Sequence, residues 1–210
     1  MPLLDFNRTV PYKKKEGILG YFQIIFHNFF DLVLLNIIFV FTSLPIFTIG
    51  ASYTSFIAVC NKYAEDENVY PIKEYFSCFK KNFLKTTLYG IIFTLAIVII
   101  SFSMVFYLNL GKEIFVFYFL SAVSLICLLI VLMIGGWFFP CLSKSYDSFK
   151  NLIVKSFVLT ISNIKKSLLF LLVVLVCAFL IFAFFPYSVP FIFIFPIMLI
   201  ALASSCISVK

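Results

Sequence analysis

Charge is scarce in this chain. Asp, Glu, Lys and Arg make up 12% of its 210 residues, against about 25% in an ordinary soluble domain. Histidine occurs once, at His27, tryptophan once, at Trp137, and arginine once, at Arg8. With a single histidine and neither an HExxH nor a GxSxG pattern, the acids, bases and nucleophiles that an active site must position are largely missing. The six cysteines (Cys60, Cys78, Cys127, Cys141, Cys177 and Cys206) include no CxxC pair and no zinc-ligand spacing. Four lie in or beside apolar runs, where cysteine behaves as a small hydrophobe. No enzyme, metal site, disulfide framework or cofactor is expected. The net charge of +7 suggests nucleic acid, but no binding motif accompanies it.

What the chain has is apolar length. It is 63% hydrophobic, with a mean hydropathy of +1.14. No charge occurs over the 22 residues 87–108 or the 27 residues 114–140. About 20 apolar residues cross a bilayer core of about 30 Å, and hydrocarbon forces backbone polar groups to pair within the helix. The class is therefore all-α, a polytopic bundle of transmembrane helices forming one membrane domain over residues 1–210.

Residues 1–26 read as a basic cytoplasmic tail and lead-in. Lys13, Lys14 and Lys15 precede an apolar stretch with no small-residue cleavage site, so an uncleaved first span is expected. Spans are expected near 27–44, 46–63, 87–108, 114–139, 167–185 and 190–208. They form hairpins at 27–63, 87–139 and 167–210. Residues 46–63 are just long enough to cross, and they return either as a short span or as a re-entrant segment buried by neighbours. The lysines and the arginine choose between five spans and six. Five spans divide them 11 against 5 across the membrane, and six divide them 15 against 1, leaving only Lys112 outside. The second division follows the positive-inside rule. It places the protein in the cytoplasmic membrane with both termini inside.

Two amphipathic segments sit in the cytoplasmic connections 64–86 and 140–166. In the first, Ile72, Tyr75, Phe76, Phe79 and Phe83 recur at helical spacing, with Lys73, Glu74, Lys80, Lys81 and Lys85 elsewhere on the helix. In the second, Phe149, Leu152, Ile153, Phe157 and Ile161 are set against Lys150, Asn151, Lys155 and Ser162. Basic amphipathic helices feeding spans are expected in the headgroup layer. Lys80-Lys81-Asn82 and Lys165-Lys166-Ser167 occupy equivalent places before a hairpin. This is a shared plan with weak sequence identity.

The stretch DLVLLNIIFVFTSLPIFTIGAS at 31–52 resembles the signature of the YesL family of bacterial membrane proteins. Asn36, Leu44, Pro45, Thr48, Gly50, Ala51 and Ser52 carry the likeness. It continues at Tyr75-Phe76, at 79–83 (FKKNF), at Phe139-Pro140 and at Lys155-Ser156. Phe39 stands where members often have Trp, and Lys144 where Arg is common. The resemblance implies a multi-span protein with no assigned active site. Members are often encoded near carbohydrate ABC importers and sensor kinases, so it also implies an accessory role in sugar uptake, with importer subunits or a sensor kinase as partners.

Three groups of residues are candidates for function. Asp31 is the one carboxylate in an expected span, with His27 one turn earlier and Asn36 deeper. A His–Asp pair within a membrane can relay protons or hold a cation. A carboxylate near a helix start is also favoured by the macrodipole, and this structural role carries more weight. Pro45, Thr48, Gly50, Ala51 and Ser52 form the second group. Small residues there permit close helix packing, and a broken helix can also offer N–H groups to an anion. Phe76, Phe79, Lys80, Lys81 and Phe157 form the third, a cytoplasmic docking face if the amphipathic helices do more than lie on lipid.

The leading expectation is an accessory or scaffold protein in the lipid bilayer, because low polarity and basic cytoplasmic helices need nothing further. The alternative is a small transporter or channel subunit, self-associating to make a path and using Asp31 and His27. Ser101, Ser103, Ser121 and Ser124 are the main polar groups in its later spans.

Overall fold

The apolar runs and their Pro, Gly and Lys punctuation become helices in a computed structural model that describes residues 28–65, 69–81, 83–112, 114–145, 147–183 and 196–208. All regular structure among these residues is helical. In chain order the helices are α1 (Phe29–Ser43), a 3₁₀ turn (Ile46–Thr48), α2 (Ile49–Ala64), α3 (Pro71–Lys81), α4 (Phe83–Leu110), α5 (Val116–Lys144), α6 (Phe149–Ser162), α7 (Ile164–Ala183) and α8 (Pro196–Ser208). Three of them, α4, α5 and α7, are long and apolar enough to cross a membrane, and α1 is a shorter apolar helix. At 15 and 16 residues, α1 and α2 fall below the length that a crossing usually takes. The expected turn at 186–190 and the N-terminal tail lie outside the described residues.

Helices α4 and α5 form the longest hairpin. It closes at Gly111, whose N–H donates to Tyr107 O (2.9 Å). Its register follows from Ser121 Oγ donating to Met104 O (3.3 Å) and from Phe93 stacking on Phe138 (5.7 Å between ring centroids). The outer half of the hairpin is covered only in part. Leu95, Ile99, Phe102, Phe106, Phe119 and Ile126 all face outward. In water this surface would be untenable, whereas in lipid it is an ordinary helix exterior.

The core gathers at the opposite end of the hairpin, where α4 begins and α5 finishes. Its centre is α2, packed against α1, α3, α4, α5 and α8. Leu32, Leu35 and Phe39 from α1 meet Phe56, Ile57, Val59, Cys60 and Tyr63 from α2. Tyr75, Phe138, Leu142, Leu152, Met198 and Leu202 complete the cluster. Phe39 packs edge-to-face on Tyr53 and Phe56, a large ring buried between α1 and α2.

Backbone contact sets how α2 meets α4. A Cβ built on Gly50 would lie 2.5 Å from Gly90 Cα and 2.8 Å from Thr86 O. Only two glycines facing each other permit this approach. Further along, Tyr53 meets Phe139 (4.9 Å) and Asn61 Nδ2 donates to Ser143 Oγ (2.9 Å). Two contacts eight residues apart on α2 thus hold it against the last turns of α5. Beyond this point Glu65 pairs with Lys144 (2.6 Å).

The glycines of α5 are seats for rings. A Cβ on Gly135 would meet the Phe93 ring at 2.6 Å, and one on Gly136 would meet the Phe170 ring at 2.6 Å. These contacts tie α5 to α4 and to α7. Trp137 is buried, and its Nε1–H donates to Ser167 Oγ (2.9 Å). Ser167 Oγ in turn meets Thr160 O and Asn163 O, both at 3.1 Å. It thereby satisfies carbonyls left open where α6 ends.

The amphipathic helices differ in two ways from the expected stripes. The first segment is two elements, because α3 ends at Lys81 and Phe83 opens α4. Pro71 starts α3 at the position that tolerates a missing N–H. Tyr75 faces the core and Phe79 is half-buried, while Ile72 and Phe76 are exposed. In α6 the inward face carries Leu152, Ser156 (0% exposed) and Thr160 (7% exposed), whereas Ile153, Val154, Phe157, Val158 and Ile161 face out. The most apolar face of α6 is therefore its outer one.

Gly50→Ala and Gly90→Ala should each lower stability by about 1–3 kcal/mol, because backbone lies on both sides of the contact and neither side can yield. A thermal unfolding series in mild detergent checks this, with Leu95→Ala on the exposed surface of α4 moving the midpoint little. Trp137→Phe should cost about 1 kcal/mol, the worth of the lost hydrogen bond. Ser167→Ala should cost no less, and the double variant should cost less than the sum.

Candidate functional site

The family-motif turn joins α1 to α2, and it is held by its own side chains. Pro45 cannot continue α1, so carbonyls at the end of that helix need other donors. Thr48 Oγ1 lies 2.6 Å from both Thr42 O and Pro45 O and supplies one. The Thr48 N–H also donates to Pro45 O (2.8 Å). Thr48, Gly50, Ala51 and Ser52 are buried, while Pro45 is exposed. Gly50 makes a close backbone contact with Gly90, and Thr48 adds a cap on α1.

A hydroxyl cluster lies beside this turn. Thr42 Oγ1 and Tyr75 Oη are 2.6 Å apart, and the fully buried Ser52 also faces the Tyr75 hydroxyl. Burial pushes the Tyr75 phenol above its ordinary value, partly opposed by its hydrogen bond with Thr42. The cluster ties α3 to both arms of the first hairpin. Tyr75 was legible only as one member of an apolar stripe, and its periodicity carries no mark of the hydroxyl's role.

Asp31 meets a residue that spacing alone does not pick out. It is half-buried, and its Oδ2 accepts a hydrogen bond from Tyr63 Oη (3.1 Å), 32 residues later in sequence. His27, its expected partner, lies outside the described residues. Asn36 is buried in α1 at 1% exposure, among Leu32, Leu35 and Phe39. Near Tyr63, at the end of α2, two ion pairs form: Lys62 with Glu74 (2.8 Å) and Lys144 with Glu65 (2.6 Å). These pairs are about one-third exposed or more and worth at most about 1 kcal/mol each. Their value is positional, since they place the ends of α2 and α5 and the start of α3 together.

Of the five docking residues, four are exposed and Phe79 is half-buried. Phe79 stacks on Tyr75 (6.2 Å) and packs against the core. Phe76, Lys80 and Lys81 are exposed on α3, which packs on α2 and α1. Phe157 is exposed on α6, which packs on α5 and α7. Among the described residues, no three His, Cys, Asp or Glu side chains gather as a metal site.

The Gly50–Gly90 contact, the motif turn and the hydroxyl cluster all fall within one segment. Residues 32–104 match the model of a family described as "Protein of unknown function, DUF624". The match covers about a third of the chain, from the second turn of α1 into α4. No curated protein and no solved structure matches the chain. The arrangement is that of a membrane protein whose polar side chains hold helices together.

Thr48→Val should remove the cap on α1 and cost about 1–2 kcal/mol. Tyr75→Phe should cost about 1 kcal/mol through the lost hydroxyl pair. Combining it with Thr42→Val should cost less than the sum of the two single changes. Denaturation in detergent, followed by circular dichroism, measures all three.

Proposed function

We propose that this protein is an accessory or scaffold component of the cytoplasmic membrane, without enzymatic activity of its own, associated with carbohydrate uptake or its sensing. The observation that carries the scaffold reading is the use made of its buried polar groups. Thr42, Thr48, Tyr75, Asn61, Ser143, Trp137 and Ser167 all bond one helix or turn to another, or close a helix end. In the long hairpin, Ser103 and Ser124 donate to Ile99 O and Leu120 O of their own helices (2.9 and 3.0 Å). A scaffold needs a stable bundle with outward surfaces, and these bonds fit that need. The link to carbohydrate uptake rests on the resemblance to the YesL family alone.

The topology proposed with this function has six membrane-embedded segments and both termini in the cytoplasm. α4, α5 and α7 cross fully. α1 and α2 form a short hairpin that enters and leaves on the cytoplasmic side, and α8 completes the bundle. The contact of Gly50 with the first turns of α4 and that of the end of α2 with the end of α5 support a hairpin held close to that side. Lys112 then lies outside, and the other basic residues lie inside.

A second reading has one observation in its favour. Asp31, half-buried and bonded to Tyr63, is placed as an ion or proton site of a transporter or channel subunit would be, with His27 one turn away in sequence.

Crosslinking in native membranes, mild solubilisation and mass spectrometry of the tagged protein separate the two. Stoichiometric recovery of importer permease subunits or a sensor kinase is the result expected of the accessory role. Recovery of this chain alone, with flux in proteoliposomes that vanishes in Asp31→Asn, would overturn it in favour of a carrier or pore.

A further inference from the structure

The outer face of α6 is built the wrong way round for water. Its buried side presents Ser156 and Thr160 with Leu152, and its exposed side presents Ile153, Val154, Phe157, Val158 and Ile161. Moving that many large apolar side chains outward costs roughly 1.5–3 kcal/mol apiece if water meets them. Some apolar medium must cover the face.

The charges beside it indicate which medium. On a helical projection at 100° per residue, the exposed surface divides into two sectors. Ile153, Phe157, Ile161, Val154 and Val158 form the apolar sector, with Lys150 at its N-terminal end. Asn151, Lys155 and Ser162 flank it on one side. Lys165 follows at the start of α7, also exposed. Residues 149–166 contain four lysines and no Asp or Glu, and among the described residues no carboxylate pairs with Lys150, Lys155 or Lys165. An apolar sector bordered by unopposed ammonium groups complements acyl chains bordered by phosphates.

We infer that the outer face of α6, with Lys150, Lys155 and Lys165, binds anionic lipid, taking acyl chains against Phe157 and its neighbours and phosphate headgroups at the lysines. The inference rests on the membrane location proposed above and adds to it a preferred lipid charge and a place on the molecule. The inward Ser156, Thr160 and Ser167 let α6 lie close against α5 and α7 while its bulk faces the acyl layer. The lysine stems reach from that layer to the headgroups.

Two tryptophan reporters test it, Phe157→Trp on this face and Leu95→Trp on the exposed surface of α4. The buried Trp137 is the common background. Each variant is reconstituted in vesicles of one fixed mixture of phosphatidylcholine and phosphatidylglycerol, with bromine carried by an equal mole fraction of one lipid or the other. For Phe157→Trp, brominated phosphatidylglycerol should quench at least about twofold more than brominated phosphatidylcholine. Adding Lys150→Gln, Lys155→Gln and Lys165→Gln should remove the excess. Leu95→Trp should be quenched equally by both. If Leu95→Trp is quenched and Phe157→Trp by neither lipid, α6 is covered by protein or water and the inference fails while the membrane location stands. Equal quenching of Phe157→Trp by both lipids, or an excess that survives the three glutamines, also overturns it. Absence of quenching at Leu95→Trp would refute the membrane location itself.

Discussion

Two glycines facing each other, Gly50 on α2 and Gly90 on α4, determine where everything else in the bundle can go. Their contact brings backbone against backbone, so the two helices can neither slide nor separate without losing a snug fit along several turns. With that point pinned, the Pro45 turn lies beside the first turns of α4, and α3 must pack back along α2 before the chain can enter α4. The hydroxyls of Thr42, Ser52 and Tyr75 then converge because three elements meet there. The ends of α2 and α5 then share an edge, which Asn61, Ser143, Glu65 and Lys144 close.

Around that pin, the molecule distributes polarity as lipid requires. Inside are glycine, serine and threonine, which allow close approach and bond to nearby carbonyls. Outside are phenylalanine, leucine, isoleucine and valine, because hydrocarbon offers helices no reward for hiding them. The same rule explains why α5 seats rings on Gly135 and Gly136, and why Trp137 goes inward to a serine. Packing here comes from shape and hydrogen bonds more than from withdrawal of apolar surface from water.

Much of this architecture was legible in the sequence. Uncharged runs marked α4, α5 and α7, prolines and lysine clusters marked breaks, and the small residues after Pro45 pointed to close packing. The faces were harder to read. Periodicity finds that α6 has an apolar stripe but does not say which medium it meets, and the stripe turned outward for the most part. The same limit applied to α3, where Tyr75 and Phe79 go in and Phe76 stays out. Pairing across the bundle was not legible at all. Asp31 meets Tyr63 and Trp137 meets Ser167 because helices cross there, and no local pattern records a crossing.

The contact between α2 and α8 carries a consequence for how the protein is made. Ser205 reaches Ile57 O (3.5 Å) across 148 residues of chain, and Met198, Ala201 and Leu202 fill the cluster around α2. Until α8 has been synthesised, α2 lacks one wall. The contacts between α4 and α5 themselves are local and form as soon as both arms are inserted, although Phe138 and Leu142 of α5 also wait for Met198 and Leu202. Assembly is therefore split in time, with early insertion of the long hairpin and late closure of the core. A nascent chain halted before α8 would be threaded through the membrane yet unfinished at its centre.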